Sequence, residues 1–243
     1  MVKPVYLTFF EHIDELRKRM IISLMALVIG TIAGCCYAGS ALQFLLQPAV
    51  PEIQQFYFFS PEAAFVIKLK IALLLGFIAV SPILISQLWF FISPALHGKE
   101  KKMVLPLIFM TSMLFIIGVI FCFLVVIPFA FKFLMSMQTD LLKPMISIES
   151  YIDFLFGMLL AFGLSFNMPI FIFAFVSVRV LSVKLLNQYQ RHIIVLIFIL
   201  SAILTPTPDI SGQLMLAIPL IVLFELSVIG SWIIERSRLK KIR

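Results

Sequence analysis

The sequence predicts an all-α polytopic membrane protein, with six transmembrane helices in a kinked, concave bundle. Of its 243 residues, 62% are hydrophobic and 13% are charged, whereas soluble domains have about 45–50% apolar and about 25% charged residues. At about 20 residues per helical span, this length allows roughly six or seven spans and no sizeable soluble domain. Apolar runs, the prolines inside them and the basic clusters beside them support this architecture in turn.

Six apolar runs follow one another along the chain. They cover about residues 20–37, 63–92, 103–131, 151–178, 192–204 and 213–234. The fifth run is shorter than the roughly 20 residues that a full span needs. A helix shorter than the hydrocarbon core thins the bilayer, extends its flanking side chains or leans on its neighbours. We therefore expect a thinned bilayer around the short fifth and sixth spans.

Prolines lie inside four of these runs. They are Pro82, Pro106, Pro128, Pro169 and Pro219. Proline lacks the N–H group that a helix interior uses, and its ring crowds the preceding turn. Helices that contain proline are commonly kinked. The sequence therefore favours a curved, concave bundle over a straight one.

Basic residues predict the orientation. Arg17, Lys18 and Arg19 precede the first run, whereas residues 39–62, the first loop, contain no Lys or Arg. Cytoplasmic loops carry an excess of Lys and Arg, so the N-terminus is expected to be cytoplasmic. The second loop, the fourth loop and the tail are also basic, with Lys99, Lys101, Lys102, Arg179, Lys184, Arg191, Arg236, Arg238, Lys240, Lys241 and Arg243. Six spans with both termini inside agree with these charges.

A single transmembrane domain, residues 1–243, is expected. It includes an amphipathic cytoplasmic N-terminus at residues 1–19 and a basic cytoplasmic tail at residues 235–243. The N-terminal stretch lacks an apolar region followed by a small-residue cleavage site, so we expect no removable signal peptide. Instead it is typical of a short amphipathic helix at the membrane interface.

Glu15 and Glu100 have two interpretations. Glu15 and Arg19 are i, i+4 neighbours, so the N-terminal helix can neutralise its own charges, and Glu100 in HGKEKK can be a solvated loop charge. Alternatively, carboxylates on the cytoplasmic face of an apolar bundle can bind guanidinium groups bidentately, a geometry that separates Arg from Lys. Composition favours the first interpretation.

Several function classes are disfavoured. The net charge of +7 comes from clusters beside apolar runs, so positive-inside topology explains it better than nucleic-acid binding. Cys35, Cys36 and Cys122 lie in apolar runs without disulfide or metal-ligand spacing. The histidines also lack metal-ligand spacing, and neither a nucleophile motif nor a phosphate-binding loop occurs. We expect no enzyme, no metal and no cofactor.

Polar side chains inside the apolar runs require an explanation, because inserting each of them into the membrane costs free energy. Glu225 is the clearest candidate for a functional carboxyl, although it can also be hydrogen-bonded between helices. Asn167 and Gln87 can link helices or line a wet groove. Lys68 and Lys70 are expected to extend to the outer interface.

Several segments, in order, resemble the TatC family, the multi-span subunit of the twin-arginine protein translocase. HIDELRKRM is similar to its N-terminal element, and FVIKLKIALLLGFIAVSPILISQLWFFISPALHGKEKK to its second span and first cytoplasmic loop. SYIDFLFGMLLAFGLSFNMPI resembles its fourth span, and RHIIVLIFILSAILTPTPDISGQLMLAIPLIVLFELSVI its last two spans. The resemblance covers nearly the whole chain.

The resemblance implies a receptor that recognises twin-arginine signal peptides and exports folded proteins with the proton-motive force. By motif position, Glu15 and Glu100 are the carboxylates that bind the paired arginines. Leu16, Arg17, Pro94 and Leu96 fall in the same motifs and are expected to shape the site. The resemblance also implies TatA-like and TatB-like single-span partners and a homo-oligomer within a complex. The inner membrane of a bacterial cell is expected over an organellar membrane only because it is the commoner case.

The sequence departs from the family at Asn167, where the family usually has Glu and sometimes Gln. Asparagine cannot ionise, so a proton-exchanging role at this position is in doubt. Gln190 stands where the family often has a basic residue, which we interpret as minor. Pro208, Asp209 and Gln213 match the outer-loop motif and Glu225 the sixth-span motif, whose faces in the family contact the single-span partners.

Two alternatives remain at this level. A proton-coupled secondary transporter would place Glu225, Asn167 and Lys68 around a midplane solute site, but such folds usually contain internal repeats, and the two halves of the sequence have no convincing one. A structural assembly platform would leave Glu15 and Glu100 dispensable. Solute uptake compared with export of a folded reporter separates these classes.

Overall fold

A computed structural model of the chain describes residues 9–49, 56–93, 104–136, 145–177, 182–204 and 210–242. These residues are almost entirely helical. In chain order the helices are α1 (Phe9–Leu46), α2 (Ala63–Ile92), α3 (Val104–Phe121), a π-helical segment (Cys122–Val126), α4 (Ile127–Ser136), α5 (Ile148–Ser165), α6 (Met168–Ser177), α7 (Val183–Leu204) and α8 (Ile210–Ile242). No strand occurs within the described ranges, where Tyr57 and Ser147 form an isolated bridge.

Five helical stretches of the described residues are long and apolar enough to cross a membrane. They are Phe10–Leu46, Ala63–Ile92, Val104–Phe133, Ile148–Val176 and Lys184–Ile203. A further apolar stretch, Leu216–Trp232 in α8, is shorter. These stretches follow the six apolar runs of the sequence in order. The predicted all-α polytopic membrane fold is therefore confirmed.

The prolines occupy two kinds of position. Pro82 and Pro219 lie inside α2 and α8, where each removes a backbone hydrogen bond. Pro106, Pro128 and Pro169 lie in the first turns of α3, α4 and α6. A first turn tolerates proline because its N–H groups have no partner within the helix. Pro106 and Pro169 therefore mark helix starts, whereas Pro128 follows the π-helical segment inside the continuous helical stretch Val104–Phe133.

Two interruptions divide the third and fourth spans. The third span passes from α3 to α4 through the π-helical segment Cys122–Val126, which ends two residues before Pro128. The fourth span breaks at Phe166 and Asn167, directly before α6 and Pro169. At both places proline cannot donate to the carbonyl four residues earlier. The helical hydrogen-bond ladder is therefore interrupted where the apolar run is continuous.

Helix α1 corrects the prediction of a separate amphipathic helix at the N-terminus. It runs without a break from Phe9 to Leu46, so residues 9–19 belong to the same helix as the first span. Residues 9–19 contain neither Gly nor Pro, and Glu, Leu, Arg and Lys favour helices. Nothing in this segment ends the helix before it enters the apolar run.

Helix α7 also differs from its predicted bounds. It begins at Val183, ahead of the apolar run predicted to start near residue 192. Its first two turns include polar residues that apolar counting leaves out, among them Asn187, Gln188 and Gln190. The apolar part of the fifth span is therefore short, but the helix that carries it is not.

Glycines bring α1 and α2 into close contact. A Cβ atom added to Gly34 would collide with the backbone oxygen of Ala72, and one added to Gly76 would lie 2.5 Å from the backbone nitrogen of Thr31. Gly30 also faces Gly76 and Val80. Small residues allow backbones to approach closely, which favours helix association inside a membrane. These contacts fix the register between the first two spans.

Because α1 and α2 are antiparallel, the start of α1 lies beside the end of α2, and we call this side of the molecule the N-terminal end of the bundle. There the rings of His12 and Phe91 stack with centroids 4.5 Å apart. At the opposite end, the hydroxyl of Tyr151 on α5 donates to the backbone oxygen of Leu45 over 2.6 Å. Helix α5 packs against α2, α3, α7 and α8 and is therefore the centre of the core.

Candidate functional site

A polar cluster joins α1 to α2 at the N-terminal end of the bundle. Arg19 Nη2 donates to Glu15 Oε1 over 3.2 Å, and Arg19 Nη1 donates to Gln87 Oε1 on α2 over 3.1 Å. The i, i+4 spacing places Glu15 and Arg19 on one face of α1. We call Glu15, Arg19, Gln87 and Phe90 the arginine cluster.

Arg19 is held mainly from α2. Its guanidinium carbon lies 5.2 Å from the ring centroid of Phe90, within the range of a cation–π contact. Its Nε atom is buried without a hydrogen-bond partner among the described residues. The predicted self-neutralising pair of Glu15 and Arg19 therefore forms, but Arg19 also makes two contacts with α2 that the sequence of α1 cannot predict.

Glu15 is the accessible anion of this cluster. Its side chain is 21% exposed and that of Arg19 is 28% exposed. The ion pair uses Oε1, and within the described part of the chain no hydrogen bond to Oε2 is present. Leu16 and Arg17, the neighbours predicted to shape the site, are both exposed. The carboxylate can therefore accept a further donor from outside the protein.

Some predicted site residues lie outside the described residues. They are Pro94, Leu96 and Glu100 of the loop predicted to be cytoplasmic, and Pro208 and Asp209 of the loop predicted to be on the outer side. Their positions relative to Glu15 and to α8 stay predictions.

A small aromatic core supports the end of α2 that carries Gln87 and Phe90. Trp89 is 2% exposed and donates through Nε1 to Thr111 Oγ1 on α3 over 3.1 Å. Its ring also stacks on Phe171 of α6 with centroids 5.3 Å apart. The sequence contains a hint of this contact, since a buried tryptophan N–H needs an acceptor and Thr111 is a hydroxyl within an apolar run. These contacts tie the cluster to the third and fourth spans.

Asn167 lies at the break between α5 and α6 and is 3% exposed. Its Nδ2 donates to the backbone oxygen of Gly163 over 3.0 Å, while its Oδ1 is buried without a partner in the described part of the chain. The amide therefore bonds to its own helix rather than to a second helix. An unpartnered buried oxygen gives it capacity to accept one hydrogen bond.

Glu225 on α8 has a partner on α7. Gln190 Nε2 donates to Glu225 Oε1 over 2.5 Å, and Gln213 Nε2 donates to the backbone oxygen of Phe198 over 2.8 Å. The two glutamines therefore connect the last two helices at two levels. This corrects the interpretation of Gln190 as minor, and it gives Glu225 the structural partner that was one of its two predicted roles.

The two lysines of α2 differ. Lys70 forms an ion pair with Asp153 of α5 over 2.5 Å, whereas Lys68 is exposed. An interfacial position explains Lys68, but the charge of Lys70 is paired within the protein. No group of three or more His, Cys, Asp or Glu that could hold a metal ion occurs among the described residues.

The fold and the polar cluster together define a multi-pass helical membrane protein with a partly exposed carboxylate, Glu15, at one end of the bundle. A family model described as Sec-independent protein translocase protein (TatC) matches residues 11–219. The chain belongs to the TatC family, and it is a subunit of the Sec-independent, twin-arginine protein translocase.

Relatives agree over nearly their whole length. The chain is 39% identical over 226 residues to the TatC protein of Carboxydothermus hydrogenoformans, covering 93% of this chain and 92% of that protein. It is 37% identical over 223 residues to the TatC protein of Aquifex aeolicus, covering 90% and 92%. A crystal structure of the twin-arginine translocase receptor TatC in DDM has a TM-score of 0.84 at 35% identity, covering 90% of this chain and 99% of that one.

These comparisons do not support the alternative of a solute transporter. The residues predicted to line a midplane site also have separate surroundings. Asn167 bonds to Gly163, Glu225 bonds to Gln190, and Lys68 is exposed near the start of α2. Among the described residues, no hydrogen bond or ion pair joins any two of these three side chains.

Proposed function

We propose that this chain is the receptor subunit of the translocase and that it recognises the paired arginines of a signal peptide through Glu15 and Glu100. The observation that supports this proposal is the contact between Glu15 and Arg19. A half-buried carboxylate at the N-terminal end of the bundle already accepts a guanidinium, and its second oxygen has no partner in the described residues.

The carboxylates of Glu15 and Glu100 are expected to bind arginine in preference to lysine. A carboxylate can accept two parallel N–H bonds from one guanidinium, whereas an ammonium is a compact point charge. Glu15 offers Oε2 directly and can offer Oε1 if Arg19 releases it. Leu16 and Arg17 flank this carboxylate, and by motif position Pro94, Leu96 and Glu100 complete the site from the loop after α2.

The remaining steps follow from the family to which the chain belongs. The apolar segment of the signal peptide would insert along the concave face near Asn167, whose free Oδ1 can accept a hydrogen bond. TatA-like and TatB-like helices would assemble against α7 and α8 near Pro208, Asp209, Gln213 and Glu225. Several copies would act within one complex in the inner membrane, with both termini cytoplasmic.

The apolar stretches of α7 and α8 are the two shortest of the six. A span shorter than the hydrocarbon core thins the surrounding bilayer. The stretch Leu216–Trp232 in α8 is shorter than the five that are long enough to cross a membrane, which supports local weakening of the membrane during passage. The proton-motive force would supply the energy for this passage.

Site-specific photocrosslinking tests the receptor proposal. A photoreactive residue replaces Glu15 or Glu100 in membrane vesicles that contain the partner proteins, and a twin-arginine signal peptide or its twin-lysine variant is added. The same residue at Lys68, near the far end of α2, is the control for unspecific membrane contact. We expect crosslinks from positions 15 and 100 to the arginine form, weak crosslinks to the lysine form, and none from position 68.

Equal crosslinking of both peptides would contradict recognition of the arginine pair. Absence of crosslinks from positions 15 and 100 would overturn the receptor proposal, and a structural platform would then account better for the chain.

A further inference from the structure

The guanidinium of Arg19 binds the carboxylate of Glu15, to which the arginine of a signal peptide is proposed to bind. Its Nη2 reaches Glu15 Oε1 over 3.2 Å, while Nη1 bonds to Gln87 over 3.1 Å and the guanidinium lies over Phe90. The contact with Glu15 is a single hydrogen bond to a single oxygen. The protein thus contains its own guanidinium at the carboxylate proposed to receive the signal peptide.

Arg19 makes one contact with Glu15 on its own helix and two contacts with residues of α2. If Glu15 leaves, Arg19 keeps its hydrogen bond to Gln87 and its position over Phe90, because both come from α2. It also remains partly exposed, so the free guanidinium group stays hydrated in part. Glu15 can therefore exchange Arg19 for another cation, and Arg19 does not become a buried charge without a partner. A buried charge that loses its partner is strongly destabilising.

We propose that Arg19 is an internal competitor for Glu15 and that this competition sets a threshold affinity that a bound peptide must exceed. This inference rests on the proposed receptor function. An incoming guanidinium can replace the single hydrogen bond of Arg19 with a bidentate pair, which is a net gain. An incoming ammonium offers a point contact comparable with the one that it displaces, so it gains little. The cost of displacing Arg19 is the same for both cations. Competition therefore lowers both affinities by one factor and leaves the lysine form with little net binding at this carboxylate.

The competitor acts on affinity rather than on preference. Specificity is a difference between two affinities, and a contact that both peptides must displace lowers both affinities by the same factor. Gln87 weakens the competition, because its hydrogen bond with Nη1 of Arg19 keeps that atom from binding Glu15. Without Gln87, both Nη atoms of Arg19 are available to Glu15, and the competition becomes stronger.

The test measures the dissociation constants of two fluorescent signal peptides for the full chain in nanodiscs of phosphatidylethanolamine and phosphatidylglycerol. One peptide has the arginine pair and the other has a lysine pair in an otherwise identical sequence, and empty nanodiscs give the partitioning baseline. The variants are Arg19→Met, Gln87→Met and the double variant. Lys18→Met is the charge control, because Lys18 is exposed on the same helix and lies outside the arginine cluster.

In Arg19→Met we expect both peptides to bind more tightly by a common factor of about three- to tenfold, with the preference for arginine retained. Lys18→Met removes the same charge at an exposed position outside the cluster and should tighten both peptides much less. Gln87→Met should weaken binding in the presence of Arg19 and have no effect on Arg19→Met, because the two residues act through one contact.

Three results would overturn the inference. Affinities in Arg19→Met no higher than those in Lys18→Met, or weaker binding of both peptides by that variant, would show that Arg19 does not compete. An equal loss from Gln87→Met with and without Arg19 would show that Gln87 contacts the peptide itself. Failure of the receptor proposal gives a different pattern, in which the unaltered protein binds both peptides equally or no better than empty nanodiscs. Thermal unfolding of each variant identifies any chain that has not folded.

Discussion

Gln190 on α7 donates a hydrogen bond of 2.5 Å to the carboxylate of Glu225 on α8. The pair joins two helices whose apolar stretches are the shortest in the bundle. Each residue is partly buried, so the bond satisfies polar groups that the membrane cannot solvate. The last two spans are therefore connected by side-chain polarity as well as by apolar packing.

Removal of Gln190 tests this connection. We predict that Gln190→Leu destabilises the protein by about 0.5–2 kcal/mol, because Glu225 loses its partner within the bundle. The double variant Gln190→Leu, Glu225→Leu should recover most of this loss. The measurement is a double-mutant cycle of unfolding free energies in detergent micelles, and additive losses from the two single variants would contradict the pair.

Gly34 tests the close contact of α1 and α2. Gly34→Leu should destabilise the protein by about 1–3 kcal/mol or more, because the new side chain meets the backbone of Ala72 and only a shift of a whole helix can relieve the overlap. Gly39→Leu is the matched control, since a Cβ at Gly39 has no atom within 4 Å. The midpoint of thermal unfolding should fall for the first variant and stay unchanged for the second. Equal midpoints would contradict the register described for the two helices.

Tyr151 anchors the opposite end of the bundle. Its side chain is 1% exposed, and its hydroxyl bonds to the backbone oxygen of Leu45. Tyr151→Phe should cost about 0.5–1.5 kcal/mol in unfolding free energy, as expected for one lost hydrogen bond. Tyr37→Phe removes a hydroxyl from a side chain that is 69% exposed and should have no effect. A neutral result at position 151 would show that this hydrogen bond does not stabilise the fold.

Substitution of Asn167 is predicted to affect protein export more than protein stability. We predict that Asn167→Leu changes the unfolding free energy by less than about 1 kcal/mol, because loss of the one hydrogen bond to Gly163 is offset by removal of a buried oxygen that has no partner among the described residues. Export of a folded reporter should nevertheless fall if Oδ1 accepts a bond from the inserted peptide. Unfolding free energy and export are measured on the same variant. A loss of stability well above this value would show that the amide is a structural element.

The fold could be predicted largely from apolar runs and proline. Run length and charge placement are sufficient for the polytopic architecture, because a membrane span is a local property of the chain. The continuity of α1 from Phe9 was missed because polarity, rather than a helix breaker, suggested its start. The break at Phe166 and Asn167 was missed because the apolar run continues through it, although Pro169 gave a local signal.

The candidate site could be predicted only in part. The i, i+4 pair of Glu15 and Arg19 follows from spacing on one helix. The hydrogen bond from Arg19 to Gln87 joins residues 68 positions apart. The repeat of a helix relates only residues a few positions apart, so it cannot predict this contact. Gln190 was undervalued for the same reason, since its partner Glu225 belongs to another helix. Polar residues in apolar runs could be recognised as significant from the sequence, but their partners could not.

We propose that Glu15 recognises the arginine pair, and the dissociation constant of a twin-arginine signal peptide tests this role. It is measured for the unaltered chain, for Glu15→Gln and for Asp14→Asn, an equal charge change at an exposed neighbour on α1. We expect Glu15→Gln to weaken binding by about tenfold or more and to abolish the preference over the twin-lysine peptide, while Asp14→Asn retains that preference. Equal affinities for Glu15→Gln and the unaltered chain, with the preference for arginine intact, would show that Glu15 does not recognise the pair.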